Sequence, residues 1–286
     1  MWLVLALLVA VLTSLQDILS KHVVHKVDAT LVTWGWWFFS LPFLYGALLF
    51  APLPPLGRSF WSVLFFATLL DTIAVIYYIK AIRFADLSLS IPMLSFTPLL
   101  LLITSPVMLQ EFPRLTGIFG VLGIVLGSYM LHFRERRFGF WMPWKSIWTN
   151  PGSRYMLGVA VLFSLTGNLD KMGVLNSSPL LWIVSINTTI VIALSALLHW
   201  QKQEVVKPLK YYWRMLLPIG LINGLALGVQ MTILPMTQVP YLIAIKRTSV
   251  ILSVLYGFIF LKEAGFRERM VGILLMILGV FLISWG

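Results

Sequence analysis

Long apolar runs recur along the chain, each closed by a short cluster of proline, glycine and charge. The pattern predicts helices near 2–20, 30–51, 60–80, 85–109, 114–132, 155–174, 179–199, 213–234, 239–261 and 267–285. Most approach the roughly 20 residues that cross the ~30 Å hydrocarbon core of a bilayer. The connections are short except for "HFRERRFGFWMPWKSIWTNPGSR", residues 132–154, which divides the chain almost in half. This predicts two five-helix units, 1–132 and 155–286, joined by a basic and aromatic loop, 133–154.

Composition turns the pattern into a class. A soluble domain is about half apolar, whereas this chain is 59% hydrophobic and 11% charged, with a mean hydropathy of +0.93. The fold class expected is an all-α integral membrane protein with ten transmembrane helices. The first run, "MWLVLALLVAVLTSL", lacks a basic start and a small-residue cleavage site, so it reads as a retained helix and not a signal peptide. The absence of cysteine excludes disulfides, Cys-ligated metal and a thiol nucleophile. A net charge of +11 does not point to nucleic acid, because the cations are spread through short loops and form no basic face. Sixteen of the 21 Lys and Arg fall on one side of the layout and three (Arg58, Arg114 and Lys171) on the other. By the positive-inside rule, the crowded side is cytoplasmic. Both termini are then extracytoplasmic in a multi-pass protein of the plasma or inner membrane.

The two halves repeat. Glu111 matches Glu263, Gly120 matches Gly272 and Gly127 matches Gly279, all 152 residues apart, and "SLQDILSK" at 14–21 matches "SLTGNLDK" at 164–171 in Ser, Leu, Leu and Lys. Glycines alone would mark only close helix packing; charged residues recurring in register require more. Five is odd, so two five-helix copies cross the membrane in opposite senses. This is an inverted repeat, the construction of secondary transporters, whose site lies near the midplane. Ten helices, an acid before the last helix of each half ("VMLQEFPRLTGIFGVLGIVLG" and "IFLKEAGFRERMVGILLMILG") and a Lys-bearing end of the first helix resemble the EamA-type families of the drug/metabolite transporter superfamily. The resemblance implies a 5+5 inverted topology, alternating access and no ATP-binding domain. No Walker-type loop occurs in the sequence.

Chemistry concentrates in two places. Lys246 and Arg247 lie inside the ninth predicted helix, "VPYLIAIKRTSVILSVLYGFIFL", where each cation costs about 2.5–3.5 kcal/mol on insertion scales. They bind an anionic group, pair with Asp17, Asp71 or Asp170, or snorkel. The adjacent Lys-Arg is similar to that of the sugar-phosphate translocators, in which such a pair holds phosphate; the resemblance gives Lys171 the part of their additional lysine. The second cluster sets Ser14, Gln16, Asp17, Ser20 and Lys21 of the first helix against Ser164, Asn168, Asp170 and Lys171 of the sixth. Ser164, Asn168 and Lys171 share a helix face, which lines a cavity or joins helix to helix. The expected substrate-binding set is Lys246, Arg247, Lys171, Asn168, Asp17, Lys21 and Asp170.

An acid such as Asp17 or Asp170 could carry a coupling proton. The aromatic stretches "TWGWWFF" and "FWMPWKSIW" read as interfacial anchors. His22, His25, His132 and His199 have no metal-site spacing, so no metal, cofactor or enzymatic centre is expected. The function expected is secondary transport, by alternating access, of a small anionic or zwitterionic organic metabolite, phosphorylated or not. Its partners are that substrate, the lipid bilayer, and a proton or counter-substrate, in a monomer or homodimer with no nucleic acid. The alternative is a flippase for a phospholipid or polyprenyl-phosphate headgroup, which needs a lateral opening wide enough for an acyl chain.

Overall fold

The structure is a computed structural model that describes residues 1–24, 28–84, 93–132, 148–202, 205–259 and 266–285. The helices are α1 (Trp2–Val24), α2 (Ala29–Phe38), α3 (Leu41–Leu48), α4 (Phe60–Phe84), α5 (Thr97–Leu109) and α6 (Leu115–His132) in the first half. The second half holds α7 (Pro151–Leu175), α8 (Pro179–Trp200), α9 (Val206–Ile233, then a 3₁₀ turn Leu234–Met236), α10 (Val239–Lys246), α11 (Ser249–Ile259) and α12 (Phe266–Trp285). No strand occurs among the described residues. With α2–α3 forming the second span and α10–α11 the ninth, these make ten transmembrane helices in a 5+5 arrangement. Among the described residues, six spans are long and apolar enough to cross a membrane by themselves, and α5, α6 and residues 269–285 of α12 are shorter apolar helices. The remaining span, α7, carries Ser164, Asn168, Asp170 and Lys171, which dilute its apolar run.

Local chemistry sets the helix starts. Prolines open α3, α5, α8 and α10, where the missing N–H has no intrahelical partner to lose. Asp28 caps α2 through the Thr30 N–H at 2.8 Å, and Ser178 caps α8 through Leu181. The structure departs from the sequence pattern at several helices. The second and ninth predicted helices are each two helices, and α7 and α9 begin earlier, at Pro151 and Val206. Residues 133–147 of the expected loop, the side chain of Lys21, and Glu263 lie outside the described residues.

Compactness does not follow the sequence halves. One unit comprises Trp2–Thr72 with Leu169–Met236, the other Ile73–Asn168 with Thr237–Gly286 and Met1, so each draws on both repeats. In the first unit, α9 packs on α1, α2 and α8, and α8 on α2 and α3. Polar side chains bridge these helices: Trp34 Nε1–H donates to Ser195 Oγ at 2.9 Å, Asn187 Nδ2 to Ser40 Oγ at 2.9 Å, and Asn223 Nδ2 to the Trp36 carbonyl at 3.1 Å. Trp182 is fully buried against Gly173 and edge-on to Phe60.

The second unit is built on the packing of α6 against α12. A Cβ on Gly120 would lie 2.7 Å from the Gly279 carbonyl, and one on Gly279 would lie 2.6 Å from that of Gly120. Gly127 and Gly272 meet in the same reciprocal way, at 2.5 and 2.8 Å. The two helices therefore run antiparallel, with backbones touching where no side chain fits. The repeat offset of 152 carries Gly120 to Gly272 and Gly127 to Gly279. It thus maps one glycine contact onto the other, as a two-fold axis between inverted copies requires.

Candidate functional site

In the second unit, two spans are interrupted at repeat-equivalent positions. Met93 and Leu94 are helical, Ser95 and Phe96 form a turn, and α5 begins at Thr97. In the ninth span α10 ends at Lys246, Arg247 and Thr248 form a turn, and α11 begins at Ser249. The offset of 152 that relates the glycines also carries 95–96 to 247–248 and Thr97 to Ser249. Discontinuous helices at corresponding positions of two repeats are where transporters place their sites.

Each interruption has a local cause. Pro98 has no N–H to offer the Leu94 carbonyl, and Thr97 Oγ1–H donates to that oxygen instead, at 2.8 Å. The ninth span has no proline at its break. There the Ile245 carbonyl receives both the Thr248 N–H, at 2.9 Å, and the Thr248 hydroxyl, at 2.7 Å. The next N–H groups follow the same three-residue step: Val250 donates to Arg247 at 3.2 Å and Ile251 to Thr248 at 2.9 Å. A threonine hydroxyl that competes for backbone carbonyls can bend a helix in this way.

The two breaks meet, since Arg247 Nη2–H donates to Thr97 Oγ1 at 3.3 Å. Beside them Ser95 and Ser128, both buried, share a hydrogen bond of 2.8 Å. Lys246 and Arg247 are half-buried and lie about 10–12 Å along the helix axis from Val239 at 1.5 Å per residue. They stand at the C-terminal end of α10, where the helix dipole favours cations. The residues that begin α5 and α11 present the positive ends of two half-helices, which favour anions.

The other expected site residues are distributed as follows. Asn168 is fully buried in the second unit. Its Nδ2 donates to Thr104 Oγ1 at 3.0 Å and the Ser164 carbonyl at 2.9 Å, and its Oδ1 accepts from Ser105 Oγ at 2.7 Å. This is a polar joint between α5 and α7, and the Thr104 hydroxyl reinforces it by donating to the Ser164 carbonyl at 3.2 Å. Lys171, Asp170 and Asp17 belong to the first unit. Lys171 is buried and Asp170, half-buried, accepts from Trp182 Nε1 at 2.9 Å. Asp17 is exposed on α1, next to the buried Gln16. Sequence reasoning missed Thr97, Ser95 and Ser128; the signal was available in Pro98, a helix-start residue in the middle of an apolar run.

A model of the EamA-like transporter family matches residues 1–133 and again 150–285. The chain belongs to that family. The two matches are the two five-helix repeats, and the protein is accordingly a multi-pass membrane transporter of small substrates. EamA-like proteins work as transporters within the lipid bilayer. A solved crystal structure superposes with a TM-score of 0.75 at 18% identity over 99% of this chain and 95% of that one, a likeness of fold alone. No curated protein sequence matches this EamA-like chain.

Proposed function

We propose that this EamA-like transporter moves a small organic anion or zwitterion, phosphorylated or carboxylated, by alternating access, and that Lys246 and Arg247 bind its anionic group. The observation that carries this reading is the placement of both cations at a break in the ninth span, where Arg247 contacts Thr97 beside the equivalent break in the fourth. Arg offers a planar fork to phosphate or carboxylate, and Lys offers a point charge. The half-helix ends beside them add fixed positive dipoles at no desolvation cost on binding. Lys171 is a further candidate substrate-binding cation, and Asp17 and Asp170 are the acids through which a proton would couple. Asn168 serves the site by holding α7 to α5. The charge bias supports extracytoplasmic termini.

Arg247→Lys keeps the charge and loses the fork. In reconstituted vesicles, affinity for phosphorylated and carboxylated solutes should fall by about 1.5–3 kcal/mol, about tenfold to a hundredfold. Arg247→Leu should abolish uptake while the protein stays inserted and folded. Normal uptake with early melting would overturn the proposal and assign Arg247 to structural pairing.

A further inference from the structure

The acidic residue before the last helix of each repeat has no part in the proposed function, although it recurs in register. Glu111 lies in the connection between α5 and α6, where Gln110, at φ 56°, turns the chain out of α5. This connection grips the head of α10. Glu111 Oε2 accepts the Val239 N–H at 3.2 Å, the Phe112 carbonyl accepts Gln238 Nε2–H at 3.3 Å, and Tyr241 Oη accepts the Arg114 N–H at 3.0 Å. Gly117, in the first turn of α6, lies so close to the Tyr241 ring that no Cβ would fit.

At its other end α10 is tied by Arg247 to Thr97, the first residue of α5. The eight-residue helix is therefore fastened to both ends of α5. Because the break at Arg247–Thr248 uncouples it from α11, the grip at its head takes over the task of a continuous helix in setting its direction. A carboxylate on the first N–H groups of a helix also meets the positive end of its dipole.

We propose that Glu111 is a positioning residue for the Lys246–Arg247 pair, acting through α10. The inference rests on the anion-site reading above, and the test separates the two. The natural chain has no cysteine, so Lys246→Cys supplies a unique thiol at the site. Its modification rate is measured with an anionic reagent, sulfonatoethyl methanethiosulfonate, and a cationic one, trimethylammonioethyl methanethiosulfonate. The ratio of the rates reads the local potential. General loosening alters both rates together and leaves the ratio unchanged.

With Lys246→Cys alone the anionic reagent should be favoured, and adding Arg247→Gln should remove most of that preference. A ratio unmoved by Arg247→Gln overturns the anion-site reading itself. Adding Glu111→Leu instead should lower the ratio about fivefold, equivalent to about 1 kcal/mol. Loss of a negative charge alone would raise the ratio, so a fall reports displacement of the arginine. Glu111→Gln, which retains an acceptor for the Val239 N–H but loses the charge, should keep or raise the parental preference. If Glu111→Leu does not fold, Tyr241→Phe, which removes only the hydroxyl that accepts from Arg114, should lower the ratio in the same sense. With Arg247→Gln effective, a parental ratio in Glu111→Leu, or in Tyr241→Phe as its substitute, overturns the positioning role alone.

Discussion

Replacing Gly127 by Ala tests the seam between α6 and α12 most directly. The added methyl would stand 2.5 Å from the Gly272 carbonyl, 2.6 Å from Met276 Cγ and 3.0 Å from the Met276 nitrogen, whereas ordinary contact begins near 3.4 Å. Two of the three neighbours are backbone, so rotamer changes alone cannot make room; the helices must part by about 0.9 Å, the difference between 3.4 and 2.5 Å. A gap of that size forfeits about a quarter to a half of each dispersion contact across it, and overpacking typically costs about 1–3 kcal/mol. Ala gains about 1 kcal/mol over Gly in helix propensity, leaving a net loss of up to about 2 kcal/mol. Gly228 in α9 is the matched control, with nothing within 4 Å of its Cβ position, so Gly228→Ala should be neutral or stabilising. Melting temperatures of the purified variants should therefore move in opposite directions, or fall only for Gly127→Ala. Equal behaviour of the two variants would refute the backbone contact on which the antiparallel seam rests.

Two further outcomes are expected. Asn168→Leu removes four hydrogen bonds to Thr104, Ser164, Ser105 and the Met108 sulfur; at about 0.6 kcal/mol per bond within the membrane, it should lower the melting temperature by several degrees. A variant as stable as the parent would remove the joint between α5 and α7. A reporter fused after Gly286 should report an extracytoplasmic terminus, and cytoplasmic activity would reverse the orientation drawn from the charge bias.

The ten spans were legible because a bilayer imposes one length and one polarity on each helix. The repeat was legible because Glu111 and Glu263 cannot recur in register through hydrophobicity alone. The ninth span was predicted as continuous because nothing at Arg247–Thr248 is a helix breaker by propensity. Its break depends on a hydroxyl competing for the Ile245 carbonyl, a geometric choice that an apolar count does not record. The fourth span hid its break differently, since Pro98 reads as tolerable within an apolar run until its helix-start role is weighed. Asn168 was placed on the right face. Whether that face bonds to a ligand or to α5 depends on Ser105 and Thr104, residues 63 and 64 positions away that single-helix periodicity cannot bring together.

The reciprocal glycine contacts have an ancestry written into them. In each, a glycine of one repeat touches the carbonyl of a glycine seven positions out of register in the other, and exchanging the copies reproduces the pair. That is the definition of an isologous interface, the kind that joins two identical subunits across a two-fold axis, here contained within one polypeptide. A single five-helix chain bearing glycines at these two positions would present a surface complementary to itself in the opposite membrane orientation. The 133–154 loop guarantees equal numbers and opposite orientations of the two copies, freeing each to diverge, as the second has done by placing its Lys-Arg pair where the first carries Leu94 and Ser95.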